Sequence, residues 1–158
     1  MKAEHINPFL KAVSNTFSTM LGAEARRGEL SLGNPRKRTY PVSGIIGLSG
    51  KAVGTVVINL SEEVACKSAS RMLMDDITEL NDDVIDAVGE MANMIAGQAK
   101  VELEQYELSV SLPNVVTGVG HEVRFPSSSP PVTVTFDTDF GPMLLEVGFE
   151  PAKVEAGV

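Results

Sequence analysis

The stretch from Asn81 to Glu104 constrains the fold most, because it predicts one long, uninterrupted amphipathic helix. Asn81 is a favourable N-cap residue, and Asp82 and Asp83 lie where the helix dipole favours negative charge. Apolar residues recur at helical spacing and form a single stripe, consisting of Val84, Ile85, Val88, Met91, Ala92, Ile95, Ala99 and Leu103. The helix therefore has one face for a core and one face for solvent.

The solvent face of this helix carries a narrow row of residues, which we call the polar ridge. At about 100° per residue, the row stays within an arc of roughly 80°. Its members are Asp86, Glu90, Asn93, Gly97, Lys100 and Glu104. Gly89 and Ala96 flank the ridge, so another molecule could approach it closely. Glycine costs about 1 kcal/mol relative to alanine in an exposed helix, and a face that only met solvent would not need it.

Glu90 and Asn93 stand at the centre of the polar ridge, one helical turn apart. A carboxylate pairs with a cation, and a carboxamide offers both donors and an acceptor, which can hold a water molecule in one orientation. The spacing E-x-x-N is weak by itself, and a solvated helix face commonly carries both residue types. From the residues alone, a functional pair and a solvated face both stay open.

Composition excludes several classes of protein. The sequence has 13 Lys and Arg against 21 Asp and Glu, a formal charge of −8, which disfavours nucleic-acid binding. The short basic cluster Arg36–Arg38 is expected to be solvated or interfacial. A single cysteine rules out an internal disulfide, and no segment is long enough to span a bilayer. We expect one cytoplasmic domain over residues 1–158, with its core at about 5–150 and a frayed C-terminal tail.

The residues that usually carry chemistry are sparse. The histidines are His5 and His121, and neither has a second ligand at metal spacing, so we expect no metal site in this chain. Cys66 lies in a predicted helix and is expected to be a small buried residue rather than a nucleophile. The sequence contains no phosphate-binding or nucleophile-elbow motif. Chemistry that needs a self-contained pocket is therefore not indicated.

The first half of the chain predicts a helix, a hairpin and a second helix. Asn7 and Pro8 are expected to open the first helix, and Gly22 to end it. Residues 23–41 are expected to form a loop with room for a short strand. The predicted elements that follow are a glycine-rich hairpin over 42–60, turning at 49–51, and a helix capped by Ser61 that runs to about Met74.

Beyond Glu104 the apolar period changes from about 3.6 to 2, which indicates strands. These are expected around 108–112, 115–119, 123–125, 132–136 and 143–149. The order predicts an α+β fold, with helices packed on one face of a mostly antiparallel sheet. The two halves form a faint repeat in which Asn15 aligns with Asn93 and Ala12 stands where Glu90 stands.

The run from Asp86 to Lys100 resembles the signature helix of the CheC/CheX/FliY family of chemotaxis phosphatases. Gly44 to Leu60 resembles the glycine-rich first hairpin of that family. Leu112 to Gly118 resembles its Leu-Pro-x-Val-x-x-Gly segment. The resemblance covers roughly residues 5–150, and a single Glu/Asn helix makes the chain more similar to CheX than to CheC. It implies the pseudo-repeated fold of that family.

The resemblance implies a phosphatase that hydrolyses the aspartyl phosphate of a CheY-type response regulator. Asn93 would orient the attacking water, and Glu90 would pair with a lysine of the regulator. No cofactor is expected on this chain, because the regulator would supply both that lysine and Mg²⁺. Contacts to the regulator are expected from residues around the central pair, namely Asp86, Gly89, Met94, Gly97 and Lys100.

The resemblance also implies a homodimer whose sheet continues across the two subunits, with Glu122–Phe136 as the expected edge. Two other functions stay open. One is a docking module without turnover, for a response regulator or a flagellar-switch component. The other is a purely structural dimer unit, which would bind no regulator.

Overall fold

The computed structural model describes residues 1–33 and 40–152 and confirms the α+β class, with helices on one face of an antiparallel sheet. The helices are α1 (Ala3–Thr16), α2 (Glu62–Leu73) and α3 (Asp82–Glu102). The strands are β1 (Ala25–Leu32), β2 (Val42–Ser49), β3 (Ala52–Leu60), β4 (Ser109–Val110), β5 (Asn114–Thr117), β6 (Val132–Thr138) and β7 (Gly141–Pro151).

The strands form a sheet in the order β1-β6-β7-β3-β2-β4, and β5 pairs with β2 on the same edge as β4. The order is nearly symmetric about the β7–β3 pair. The first strand after α1 lies beside the β6–β7 hairpin, and the first strands after α3 lie beside the β2–β3 hairpin. This arrangement is the structural form of the repeat that the sequence predicts, with α1 packed against α3.

The long helix α3 agrees with the sequence prediction. The Asn81 side chain accepts a hydrogen bond from the Val84 amide at 3.0 Å, which caps the helix. Val88 and Ala92 of α3 lie against β2 at Gly44, where an added Cβ would come within 3.2 Å of the Ala92 Cβ. The glycine therefore lets the helix approach the sheet closely and fixes which face of α3 is buried.

The hairpin and the second helix are also confirmed. β2 and β3 pair in register from Val42↔Leu60 to Leu48↔Gly54. The Ser61 hydroxyl accepts a hydrogen bond from the Val64 amide at 3.1 Å at the start of α2, and Met74 is the C-cap of this helix. A π-helical segment over Phe17–Leu21 continues α1, and Gly22 ends it with a positive φ of 59°, a conformation that glycine adopts without strain.

The predicted start of the first helix is wrong. α1 begins at Ala3, and Pro8 lies inside it instead of opening it. His5 and Ile6, which precede the predicted start, are buried, and His5 Nε2 lies 2.8 Å from the Tyr106 hydroxyl. Burial of these side chains stabilises the additional turn, while Pro8 removes only one helical hydrogen bond near the N-terminus.

The predicted loop over residues 23–41 contains a strand of eight residues, β1, which is antiparallel to β6. Nearly all of β1 is exposed, so it lacks the alternating apolar pattern by which strands are recognised. Arg26 holds it to its neighbours through ion pairs with Asp137 and Asp139 at 3.5 and 3.0 Å. The basic cluster Arg36–Arg38 and the tail beyond residue 152 lie outside the described residues.

Two of the predicted late strands are wrong. The alternation over 108–112 yields only the two-residue β4, and the strand expected at 123–125 is absent, since residues 118–131 contain no strand. That segment crosses the sheet face opposite the helices, where Phe125 and Ser129 pack against Gly148. Its apolar residues alternate because one side of the segment covers the sheet and the other meets solvent.

The predicted dimer edge over Glu122–Phe136 is also wrong, because β6 is an interior strand. β6 pairs with β1 on one side and with β7 on the other. Among the described residues, the free edges of the sheet are β1 at one end and β4 with β5 at the other. No helix in residues 1–33 and 40–152 has both the length and the apolar character needed to cross a bilayer.

The close contact between α3 and β2 predicts that Gly44→Ala destabilises the fold. The new Cβ would meet Ala92, Ile58 and Val88 at 3.2–3.3 Å, and overpacking of this kind costs about 1–3 kcal/mol. The control is Gly47→Ala on the same strand, whose Cβ would lie 3.5 Å from Ser111 Oγ, an ordinary contact. Chemical denaturation of both variants measures the difference. Equal free energies of unfolding would contradict the account.

Candidate functional site

The structure places the polar ridge on the solvent face of α3, as its spacing predicts. Glu90 and Asn93 are exposed near the middle of the helix, while Met91 and Ala92 between them are buried. The central pair therefore projects from a backbone that is fixed by the core beneath it. Asp86 and Lys100 are exposed on either side of the pair along the helix.

Glu90 and Asn93 are available to another molecule. Within residues 1–33 and 40–152, neither side chain has a hydrogen bond or ion pair. A carboxylate and a carboxamide on one face, one turn apart, offer two acceptor groups and a pair of amide donors. Both side chains are exposed rather than enclosed by this chain, so they suit a substrate that brings its own cavity.

The position of Gly89 corrects the sequence prediction that it contacts a partner. Gly89 is buried, and an added Cβ would lie 3.4 Å from Pro113 Cγ and 3.6 Å from Val115 Cγ2. Ala96, on the same side of α3, is also buried. Gly89 thus allows the segment before β5 to pack on the helix, and the space beside this glycine is occupied by Pro113 and Val115 of the same chain.

Gly97 has the opposite environment. No atom lies within 4 Å of the position that its Cβ would occupy, so packing within the described chain does not explain the glycine. A glycine in the middle of a helix costs about 1 kcal/mol relative to alanine. That Gly97 is a place on the polar ridge where a partner can come close to the backbone stays a prediction.

The other side of the polar ridge faces α1. Gln98 Nε2 donates to Thr16 Oγ1 at 3.1 Å, and Lys11 pairs with Glu102 at 2.9 Å. Met94 is partly buried and packs against the core, so only part of its side chain can reach a partner. These contacts hold α3 in place relative to α1.

The first half of the repeat lacks the central pair. Asn15, aligned with Asn93, is exposed on α1, but Ala12 in the position of Glu90 is only 2% exposed. The first helix therefore has no carboxylate at this place and no room for one. At the aligned positions of the repeat, the Glu/Asn pair is therefore present on α3 and absent from α1.

Other chemical groups lie away from the polar ridge. Cys66 is buried, and burial raises the pKa of its thiol, which disfavours the reactive thiolate. Both ring nitrogens of His121 lie in hydrogen bonds, one 2.7 Å from Ser43 Oγ and one 2.8 Å from the Gly118 carbonyl oxygen. Among the described residues, no three His, Cys, Asp or Glu side chains are grouped as metal ligands would be.

A cleft of about 760 Å³ lies along α2, between that helix and the segments around Asp76 and Asp139. None of the predicted site residues lines it. We take the polar ridge as the candidate site, because its central side chains are exposed and, among the described residues, unpaired, and the helix beneath them is packed on the core. In the cleft, by contrast, Arg71 already donates a hydrogen bond to the Leu21 carbonyl oxygen.

The sequence analysis missed the part that Pro113 plays beside the polar ridge. Pro113 packs on Gly89, where the helix has no side chain. Asp86 and Asn93 are three and four residues from Gly89 along the helix, so both lie next to Gly89 on the helix surface. The signal was present in the Leu-Pro pair before β5, but the sequence does not reveal which helical position it contacts.

The family model described as chemotaxis phosphatase CheX matches residues 42–137. The match includes both hairpin strands β2 and β3, the whole of α3 and most of β6. It therefore contains the polar ridge and the segment that packs against it.

Proteins of known sequence or structure are similar over most of the chain. The CheY-P phosphatase CheX of Thermotoga maritima is 28% identical over 121 residues, which cover 75% of this chain and 78% of the relative. A CheC-like superfamily protein from Shewanella sp. PV-4 is 32% identical, with a TM-score of 0.85 over 95% of this chain and 99% of that chain. The chemotaxis protein CheX of Vibrio vulnificus is 31% identical, with a TM-score of 0.85 over 94% and 100%.

Proposed function

The chain belongs to the CheX family of chemotaxis phosphatases, and on that premise we propose that it dephosphorylates a CheY-type response regulator. The observation that carries the proposal is the exposed, unpaired Glu90 and Asn93 on the rigid face of α3. Such a surface cannot enclose a small molecule. It fits a protein substrate whose phosphoryl group lies in a shallow cavity that the pair can enter.

The reaction is hydrolysis of an aspartyl phosphate. Water attacks phosphorus, the bond from phosphorus to the aspartate oxygen breaks, and the products are inorganic phosphate and the free carboxylate. The regulator holds the phosphoryl group, Mg²⁺ and a lysine. What the phosphatase has to add is the alignment of a water molecule opposite the leaving oxygen. Alignment alone can supply several kcal/mol of barrier reduction.

In this proposal, Asn93 orients the attacking water. Its carboxamide oxygen accepts a hydrogen bond from the water, and its NH₂ group donates to a neighbouring oxygen. An amide has no useful proton affinity, so Asn93 is not a general base, and the proton leaves with the phosphate product or to solvent. Because Ala92 beside it is buried, the backbone of Asn93 is already fixed, so only the side chain loses conformational freedom when it enters the regulator.

Glu90 pairs with the regulator's lysine and fixes the docking register. A charge-assisted contact of this kind is stronger than a neutral hydrogen bond, especially once water is excluded. Glu90 is exposed and has no ion pair of its own among the described residues, so it has no internal contact to break before binding. Asp86, Met94, Gly97 and Lys100 surround the pair and make the peripheral contacts.

We also propose that two copies associate with the sheet continued across the contact. Free strand edges offer unpaired backbone groups for such pairing, and the described sheet has them at β1 and at β4 with β5. We also propose a cytoplasmic location, with which a single cysteine that is free and buried is compatible.

The catalytic role of the pair predicts that Asn93→Ala and Glu90→Ala lengthen the lifetime of the phosphorylated regulator. Loss of an orienting group should lower kcat by about 100-fold or more for Asn93→Ala. Glu90→Ala should chiefly raise KM. The measurement is the decay of regulator phosphate with Mg²⁺ present, using a CheY-type regulator from the same genome.

The matched control is Asn15→Ala, the same change at the aligned position of α1. It should leave the decay unchanged, because no carboxylate accompanies Asn15. If wild type accelerates decay and the Asn93 variant accelerates it equally, the assigned role of Asn93 is wrong. If wild type binds the regulator without accelerating decay, the protein is a docking module.

Gly97→Ala should raise the stability of the fold and weaken the binding of the regulator. The methyl group meets nothing within 4 Å, so the helix should gain about 1 kcal/mol of stability. The same methyl group should weaken regulator binding if a partner approaches the backbone here. Thermal unfolding and KM are measured on one preparation. A more stable variant with unchanged KM would remove Gly97 from the docking surface.

Sedimentation equilibrium tests the proposed homodimer. We expect a species of twice the chain mass of 16.8 kDa at micromolar concentration. A monomer at all concentrations would contradict the proposal. Because Glu90 and Asn93 both lie on one α3, the decay assay remains interpretable in either case.

A further inference from the structure

Leu112 is an apolar side chain that projects into solvent beside the polar ridge. It is 88% exposed, whereas Val110 and Val115 on either side of it pack against the core. A single exposed leucine is common on protein surfaces and by itself indicates nothing. Its backbone support and its position relative to Asn93 distinguish Leu112.

The backbone around Leu112 is fixed by three hydrogen bonds. The Ser111 amide donates to the Gly47 carbonyl oxygen at 2.9 Å, and Ser111 Oγ accepts the Gly47 amide at 2.8 Å. The same hydroxyl donates to the Leu112 carbonyl oxygen at 3.0 Å. Pro113 further restricts the conformation of the residue before it. The backbone of Leu112 is therefore held in one conformation, so a partner that covers this residue pays little backbone entropy on binding.

The position of Leu112 follows from the next residue. Pro113 packs into the notch at Gly89, which lies between Asp86 and Asn93 on the helix surface. Consecutive Cα atoms are about 3.8 Å apart, so the Leu112 backbone lies one residue from this contact. A protein that receives the Asn93 side chain in a cavity therefore comes close to the surface next to Pro113.

We propose that Leu112 is a docking residue that inserts into an apolar patch on the response regulator, beside its phosphorylated aspartate. This inference rests on the proposed function and names a second contact of the same site. The polar ridge supplies mainly polar and charged groups to the interface, and Met94 beside it is partly buried in the core, so this face buries little apolar surface. Leu112 adds an exposed apolar anchor to the contacts of the ridge.

An anchor remote from the reacting atoms binds substrate and transition state equally. Its loss should therefore raise KM and leave kcat unchanged. Leu112→Ala removes three carbon atoms that would be buried in the complex. We therefore expect KM and the Kd for the phosphorylated regulator to rise roughly tenfold or more. Leu112→Met retains the apolar volume and should keep both constants near those of wild type.

The matched control is Leu32→Ala. Leu32 is 80% exposed and lies on β1, at the opposite end of the sheet from β4. The two variants make the same chemical change on the surface, so neither should alter thermal stability appreciably. Each is assayed for decay of regulator phosphate over a range of regulator concentrations, and each is sedimented to detect a change in self-association.

A raised KM in Leu112→Ala, with wild-type kcat and normal constants in Leu32→Ala, supports the proposal. Unchanged KM and Kd in Leu112→Ala overturn it, while loss of turnover in Asn93→Ala would show that the proposed function still stands. A weakened dimer without any change in KM also overturns it, because a second copy then covers Leu112. If wild type neither binds nor acts on any regulator, both proposals fail together.

Discussion

The close packing of α3 on β2 is the contact on which the rest of the structure depends. Gly44 has no side chain where Val88 and Ala92 of α3 approach the sheet, so the helix lies near the backbone of the strand. This contact fixes the rotation of α3 about its axis. With the apolar stripe buried in that orientation, Glu90 and Asn93 project outwards without any contact of their own to hold them. The candidate site is thus a consequence of core packing, and its rigidity comes from the residues between and beneath the pair.

A site of this kind works only on a partner that completes it. The central pair of the polar ridge is exposed, and the described cleft along α2 contains none of the ridge residues. The pseudo-repeat strengthens this view of α3. The first helix keeps an asparagine at Asn15 but has buried Ala12 in the place of the carboxylate, so a common architecture carries the complete pair on one helix only.

The sequence predicted those parts of the fold that depend on local patterns. The period and cap of α3, the hairpin turn near Gly50 and the outward position of Glu90 and Asn93 all follow from spacing and short-range hydrogen bonding. The strand β1 could not be recognised, because an exposed edge strand has no apolar alternation and is held by pairing with a segment far along the chain. The contact of Pro113 with Gly89 is likewise non-local, so a glycine needed for internal packing was interpreted as an approach surface for a partner.

The central claim is that the exposed face of α3 both docks the regulator and aligns the water, with Asn93 responsible for alignment alone. The most direct test compares two constants for Asn93→Ala against wild type: the Kd for the regulator carrying a non-hydrolysable phosphate mimic, and the single-turnover rate constant of dephosphorylation. We expect a Kd within about threefold of wild type, a difference of less than 1 kcal/mol, together with a rate constant that falls to the regulator's own rate. A rate constant that survives the substitution, or a Kd that weakens in proportion to the lost rate, would contradict the account.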